Sequence, residues 1–281
     1  MVSVLMTAYN REQFIAEAIE SVLASTYKNF ELIIVDDCSV DNTVAIAKTF
    51  AAKDERIRLY VNEKNLGDYP NRNHAVSFAN GKYIMFCDSD DKFFEDTIEY
   101  CVGAMEANSV CNFGIYYAHE NRQPFIMQPK EIILQHFFTK PLLVMGPGGT
   151  IYTKTFFEQI NGYPQKYGPA NDMYFNLKAA GNTPVLMLPK LFIYYREHAG
   201  QERNKIFSYI HYNYAYMRDA LVELNLPLSK KQVEYLTRKN KRRFVGNCIS
   251  QYKQYRNFAA VKELWQKAGF SFKDMLAGIF H

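Results

Sequence analysis

Short apolar stretches separated by polar punctuation dominate the first third of the chain. Residues 2–6 and 30–35 (FELIIV) read as strands buried on both faces, and Ile57–Val61 as a third. Between the first two, Phe14, Ala18 and Val22 repeat at a spacing of four beside Ile15, Ile19 and Leu23, which predicts a helix with one buried face. Asn10, with Gln13 three residues on, reads as the cap of that helix, and Asp41 as the cap of a second running to about residue 52. Gly67 and Pro70 then break the chain. A helix from about residue 71 to 80, stopped by Gly81, delivers it into the apolar run 83–87. Alternating strands and helices of this kind predict a mostly parallel sheet flanked by helices, an α/β fold.

The strand ends carry the chemistry. Thr7-Ala8-Tyr9-Asn10, Asp36-Asp37 and Asp88-Ser89-Asp90-Asp91 follow successive strands, and right-handed crossovers bring such ends to one edge of a sheet. Ligands collect at that edge, so spacing alone marks it as a nucleotide site. Three carboxylates within four residues repel one another unless a cation or donors neutralise them, and an oxygen-rich cluster suits Mg²⁺ or Mn²⁺. The same acids also read as a solvated loop capping the helix that begins near Glu95.

Beyond that helix (to about residue 107) and a strand near 110–117, the pattern loosens. Gly146-Pro147-Gly148-Gly149 reads as a flexible turn, followed by a short strand, a helix over 154–160 and another over 169–180. Asn171 and Asp172 fall in the first turn of the latter, where the helix dipole favours an acid and lowers its pKa. Strand-like segments over 186–195 lead to Arg196-Glu197-His198. From about residue 204 the chain reads as helices, one opened by the capping box Ser229-Lys230-Lys231-Gln232.

Charge divides the chain in two. From Ser229 onward 12 Lys and Arg face 3 Asp and Glu, a net +9, whereas the preceding residues carry 21 against 26, a net −5. The basic tail reads as a solvated helical face, an anionic-membrane contact or an anionic-acceptor contact; no nucleic-acid module accompanies it. Five cysteines with no C-x-x-C pair speak against a disulfide framework or zinc site and fit a reducing cytoplasm. Neither a leader-like start nor an apolar run of membrane-spanning length is evident.

VSVLMTAYN, FELIIVDDCSVDNT, LGDYPNRNHAVSFANGKYIMFCDSDD, GGTIYTKTFFEQINGY and NDMYFNLKAAG, in that order, resemble family 2 glycosyltransferases of the GT-A fold across residues 2–201. The resemblance implies a Rossmann-like GT-A domain over 1–203, with a nucleotide-sugar half (1–118) and an acceptor half (119–203), and a basic helical extension over 204–281. It implies an inverting enzyme that moves a sugar from a nucleotide-diphosphate donor, UDP-linked by expectation, to a glycan or lipid-linked acceptor in cell-surface polysaccharide synthesis. Thr7, Ala8, Tyr9 and Ser89 would cradle the nucleotide, Asp37 accept from the base, and Arg72 lie near the diphosphate. Asp88 would approach the ribose or metal, Asp90 and His198 the metal, and Asp172 would be the base; Asp91 is left to cap the following helix. The expected location is cytoplasmic, with peripheral contact at the inner membrane face. Asn171 stands where the family usually has Glu, a departure expected to shift acceptor preference.

Plainer readings stand beside these. Asp172 also reads as a first-turn helix acid, Asp37 as a loop or cap residue, and Arg72 as an exposed helix charge. His198 reads equally as an ordinary polar histidine and Tyr9 as packing. Two other functions fit less well. A phosphohydrolase could use the D-x-D, though Lys92 holds a position where that chemistry's families want Thr or Val. A binding or scaffold protein could keep the fold without turnover.

Overall fold

The computed structural model describes residues 1–118, 123–197, 206–271 and 273–276. Strands β1 (Val2–Ala8), β2 (Phe30–Asp36) and β3 (Ile57–Val61) pair in parallel through helices α1 (Ile15–Leu23) and α2 (Thr43–Ala51). Helix α3 (Asp68–Ser77) then returns the chain to β4 (Tyr83–Phe86) on the other side of β1, also parallel. The short β5 (Lys92–Phe93) and α4 (Thr97–Ala107) follow. The sheet continues with β6 (Phe113–Tyr116), β7 (Phe125–Met127), β8 (Thr150–Thr153) and β9 (Val185–Leu188), in the order β3-β2-β1-β4-β8-β6-β9-β7. β8 runs antiparallel to both β4 and β6, and β7 antiparallel to β9. Helices α5 (Pro129–Phe138), α6 (Lys154–Gln159) and α7 (Asn171–Asn182) join them. β10 (Ile193–Tyr194) leaves the main sheet and pairs antiparallel with β5.

Every residue of β1, β2 and β4 is buried, as the near-continuous apolar runs predict for strands covered on both faces. Alternation along the strands splits the core in two. Leu5, Ile33, Ile84 and Phe86 point to the layer holding α5 and α7. Val4, Ile34, Tyr83 and Met85 point to the layer holding α1 and α4.

Three local expectations are corrected. Asn10 does not cap α1: it adopts a left-handed φ of 52°, and its Oδ1 accepts Val40 N–H at 3.0 Å, tying the β1 exit to the β2–α2 loop. Helix α3 begins at Asp68, before Pro70, because a proline in the first turn forfeits no intrahelical bond. It ends at Ser77, so Gly81 is not its stop. Gly81 instead passes against β1, where a Cβ would lie 2.5 Å from the Ser3 backbone nitrogen. The Gly146–Gly149 segment is also not loose: residues Pro147–Gly149 form a buried 3₁₀ turn.

The C-terminal helices α8 (Ile206–Glu223), α9 (Lys230–Tyr255) and α10 (Phe258–Ala268) complete the chain. α8 packs on α7: Tyr167 Oη donates to Asp219 Oδ2 at 3.0 Å and Tyr174 Oη to Glu223 Oε2 at 2.8 Å. Its Tyr212 ring fills the space a Cβ on Gly168 would need, 2.5 Å from Cε2, in the turn Gly168–Ala170 that leads into α7. The capping box at Ser229 forms in both directions with Gln232. Ile210, Tyr214, Phe244, Cys248 and Leu264 make a small third core among α8, α9 and α10. Among the described residues no helix is long and apolar enough to cross a membrane. All five cysteines are free thiols.

The Gly81 contact makes a prediction. Gly81→Ala drives a methyl into backbone that cannot yield and is expected to destabilise the protein by about 1–3 kcal/mol. Gly103, an exposed position on α4 with open space around it, is the control: Gly103→Ala is expected to stabilise by about 0.5–1 kcal/mol. Urea unfolding of both variants checks the pair.

Candidate active site

The chain moves outward from β1 to β2 and β3, then crosses back to β4, so sheet order reverses between β1 and β4. A crevice opens at the carboxyl ends of strands at such a reversal. Here it is a cavity of about 580 Å³, within the range that holds small-molecule ligands. Thr7, Ala8, Tyr9, Asp37, Arg72, Asp88, Ser89, Asp90 and Asp172 all line it, so the structure gathers every described residue that the sequence points to. His198 lies outside the described residues.

On one flank, Asp37 is 3% exposed and held by three donors. Its Oδ1 accepts Asn62 Nδ2–H and Leu66 N–H, both at 2.8 Å, and its Oδ2 accepts Gly67 N–H at 2.9 Å. A carboxylate offers about four lone-pair positions, so Oδ2 retains one toward the cavity. Thr7 Oγ1 accepts from Arg72, Thr7 O accepts Ser89 Oγ–H, and Tyr9 stands half exposed at the rim.

In the middle, Asp88, Asp90 and Asp91 present ligand oxygens within 4.8 Å of one another. Each is met by an arginine from a different part of the chain. Arg72 of α3 forks onto Asp88 with Nη1 at 2.6 Å and Nη2 at 3.0 Å, a bidentate pair with the guanidinium buried. Arg11, beyond the β1 exit turn, donates from Nε to Asp90 Oδ2 at 3.0 Å. Arg196, brought there by the β5–β10 pairing, gives its backbone N–H to Asp91 Oδ1 at 3.0 Å. Asp91 therefore does not cap α4, whose N-cap is Asp96; its carboxyl is turned inward and buried. Burial and the charge of Asp88 push Asp91 up to about 8. Burial also pushes Asp88 up, against the pull of Arg72. Three mutually repelling carboxylates with hard oxygen donors fit Mg²⁺ or Mn²⁺.

Opposite lies Asp172, 6% exposed, its Oδ1 accepting Met173 N–H at 2.7 Å. The absent side chain of Gly146 leaves space beside Oδ2: a Cβ there would sit 3.6 Å away. Helix-dipole reasoning puts this pKa low, and the structure reverses it. Burial pushes the Asp172 carboxyl up to about 7, with the Met173 bond and Arg72 pulling only partly back. A first-turn dipole is worth about 0.3–1 kcal/mol, less than one pKa unit, and burial exceeds it. Asn171 plays a different part from the one expected. It faces away from the cavity, with Oδ1 on Tyr167 N–H and Nδ2 on Gly168 O, and fixes the turn before α7.

Sequence reading missed Arg11, Tyr69, Tyr195 and Tyr209, which also line the cavity. Arg11 was accessible, since it directly follows the TAYN turn. Tyr195 and Tyr209 come from a strand end and a helix far along the chain, and they reach the site through tertiary packing.

The sequence profile of glycosyl transferase family 2 matches residues 3–225. The chain is 40% identical over 110 residues to the Escherichia coli UDP-Glc:alpha-D-GlcNAc-diphosphoundecaprenol beta-1,3-glucosyltransferase WfgD, covering 39% of this chain and 43% of that one. Matches to curated relatives cover from 15% to 43% of their own lengths, so the chain spans less than half of them. In fold it is similar to Staphylococcus aureus TarS 1–349 in complex with UDP-GlcNAc, with a TM-score of 0.75 at 20% identity over 98% of this chain and 81% of that one. It is also similar to the Pyrobaculum calidifontis mannosyltransferase PcManGT in complex with GDP-Man and Mn²⁺, with a TM-score of 0.67 at 15% identity over 99% and 82%. These likenesses establish the GT-A fold expected from the sequence motifs.

The raised Asp172 carboxyl predicts a pH signature in stability. Its folded pKa of about 7 lies above the ordinary value of 3.8, so between roughly pH 4 and 7 the native protein keeps a proton that the unfolded chain has released. Stability therefore falls as pH rises through that window. Asp172→Asn is expected to gain on the wild type by a few kcal/mol, on the order of 2–4, between pH 4 and pH 8 in denaturant titrations. A constant difference between the two proteins would contradict the assignment.

Proposed function

The chain belongs to glycosyl transferase family 2, and we propose that it transfers a sugar, with inversion, from a nucleotide-diphosphate donor to an acceptor hydroxyl, with Asp172 as the base. The observation that carries this reading is the sharing of one cavity by a buried, proton-affine carboxyl and an acidic cluster suited to a cation. A base poised near neutrality is matched to removing a hydroxyl proton as the bond to the anomeric carbon forms. One base and one displacement give inversion.

Donor recognition in this reading falls to the β1–β2 side. The remaining Asp37 lone pair accepts a base N–H, while Thr7, Ala8, Tyr9 and Ser89 cradle the nucleotide. Arg72 acts on the diphosphate by charge: its Nη groups are engaged by Asp88 and Thr7, while its buried Nε–H has no partner among the described residues. Asp90, flanked by Asp88 and Asp91, would hold Mn²⁺ or Mg²⁺, which when bound supplies Lewis-acid stabilisation to the departing diphosphate. UDP as the donor nucleotide is favoured by the likeness in fold to TarS bound to UDP-GlcNAc, and a lipid-linked acceptor by the likeness to WfgD. In this reading the reaction belongs to cell-surface polysaccharide synthesis, which the likenesses to TuaG and WfgD support.

A lipid-linked acceptor calls for a place near a bilayer, and the C-terminal helices supply a suitable face. Along α9 the exposed residues include Lys231, Tyr235, Arg238, Lys239, Arg242 and Arg243. At its far end Ile249, Tyr252, Tyr255 and Phe258 are exposed among Lys253 and Arg256, with Phe258 at 70%. Basic residues over a membrane's anionic headgroups and aromatic ones at the interface favour peripheral binding.

Two measurements test these readings. Asp172→Asn is expected to lower kcat about 10²–10⁴-fold while UDP-sugar affinity stays within about twofold. Wild-type turnover would remove Asp172 from the mechanism, whereas a wild type that binds donor and transfers nothing would favour the scaffold reading. Co-sedimentation with phosphatidylglycerol vesicles is expected to fall at least about tenfold for Arg238→Glu/Arg242→Glu and to be absent with phosphatidylcholine alone. Equal binding by wild type and variant would exclude this face.

A further inference from the structure

On the proposed reading the cavity takes an anionic donor, yet it is lined by acids. Asp37, Asp68, Asp88, Asp90, Asp91 and Asp172 face it, against Arg11 and Arg72. A nucleotide diphosphate would meet net repulsion unless positive charge arrives with it or is released to it. The three arginines at the acidic cluster are unequal as sources of that charge. Arg72 is 6% exposed, forks onto Asp88 and also pairs with Asp68 one turn earlier, so moving it would strand buried charge. Arg196 gives Asp91 its backbone N–H. Its side chain reaches the Asp90 backbone carbonyl and Glu17, away from the carboxylates of the cluster.

Arg11 differs from both. Its backbone is fixed, with N–H on Thr43 Oγ1 at 2.7 Å, directly after the left-handed Asn10. Its side chain touches Asp90 through a single Nε–H bond, and Nη1 rests on the carbonyls of Tyr9 and Asn10, both at 3.1 Å. With a side chain 28% exposed against 8% for Arg72, it is the loosest of the guanidiniums bound to the cluster's carboxylates. It occupies the carboxylate that the functional reading assigns to the metal.

We propose that Arg11 is a displaceable counter-ion of Asp90. It offsets the charge of Asp90 before ligands bind, gives up Asp90 to a divalent cation, and turns its freed guanidinium to the donor diphosphate. This rests on the reading that Asp90 takes a cation together with the nucleotide. Entry of the cation then requires breaking the Arg11–Asp90 pair, which weakens binding of the metal alone. A bound diphosphate gives the released arginine a new anion, which recovers that cost. Metal and nucleotide therefore bind cooperatively, and the coupling is the same from either side.

Mn²⁺ binding to the full chain, followed by the electron paramagnetic resonance of the free ion with and without UDP, tests this. Wild-type protein is expected to bind Mn²⁺ at least about fivefold more tightly when UDP is present. Arg11→Gln removes the competing cation. It is expected to bind Mn²⁺ alone about three- to tenfold more tightly than wild type and to show less than about twofold coupling. Arg11→Lys, which keeps the charge, is expected to retain most of the wild-type coupling. Pairing of Mn²⁺ with UDP in solution is common to all three proteins and cancels in the comparison. If Arg11→Gln binds Mn²⁺ alone no better than wild type, or keeps the wild-type coupling, the counter-ion role is overturned while the metal site stands. If no protein binds Mn²⁺ under either condition, the metal reading fails and this inference with it.

Discussion

The forked pair between Arg72 and Asp88 is the constraint on which the site depends. Arg72 is carried by α3, Asp88 follows β4, and the same guanidinium reaches Thr7 on β1 at 2.9 Å. One buried side chain thus fastens a helix to both strands at the point where sheet order reverses. Removing either partner of such a pair leaves an uncompensated buried charge, a cost of about 3–5 kcal/mol. The start of α3 is held on its other side as well, since the Leu66 and Gly67 N–H groups that lead into it close on Asp37. Helix α3 is therefore suspended between two carboxylates, and the cavity takes its shape from that suspension.

Aspartates of one chemistry meet different fates within this space. Asp37 is held by three neutral donors, keeps one lone-pair position open, and becomes a fixed acceptor. Asp88 is matched by a guanidinium and becomes a strut. Asp172 pairs with no cation among the described residues; it lies among Tyr69, Gly146 and the turn before α7, where burial makes its charge expensive. Environments that push like groups apart are how one site separates an acceptor, a structural charge and a proton-binding group.

How much of this was legible in the sequence follows from how local each determinant is. β3 falls at the residues its apolar run marks, and β1, β2 and β4 lie within a residue or two of theirs, because burial on both faces leaves an unbroken apolar signal. The capping box at Ser229 is equally local and forms as read. Asn10 and Gly81 were misread because their partners, Val40 and Ser3, are distant in the chain and nothing nearby announces them. The position of Asp90 was marked by the acidic cluster that follows an apolar run, and that of Asp172 by the resemblance of its segment to the family's. The raised pKa of Asp172 could not, because it is set by desolvation, a property of the assembled walls. Asn171 looked like a lost carboxylate, and only its bonds to Tyr167 and Gly168 give it its structural part.

The seating of Tyr212 on Gly168 ties the reactive end of the molecule to its least familiar stretch. Because α8 presses on the turn that introduces Asp172, and Tyr209 of the same helix lines the cavity, the C-terminal helices form part of the cavity's wall. Exchange of such a tail between relatives by recombination would carry one wall of the reaction chamber with it.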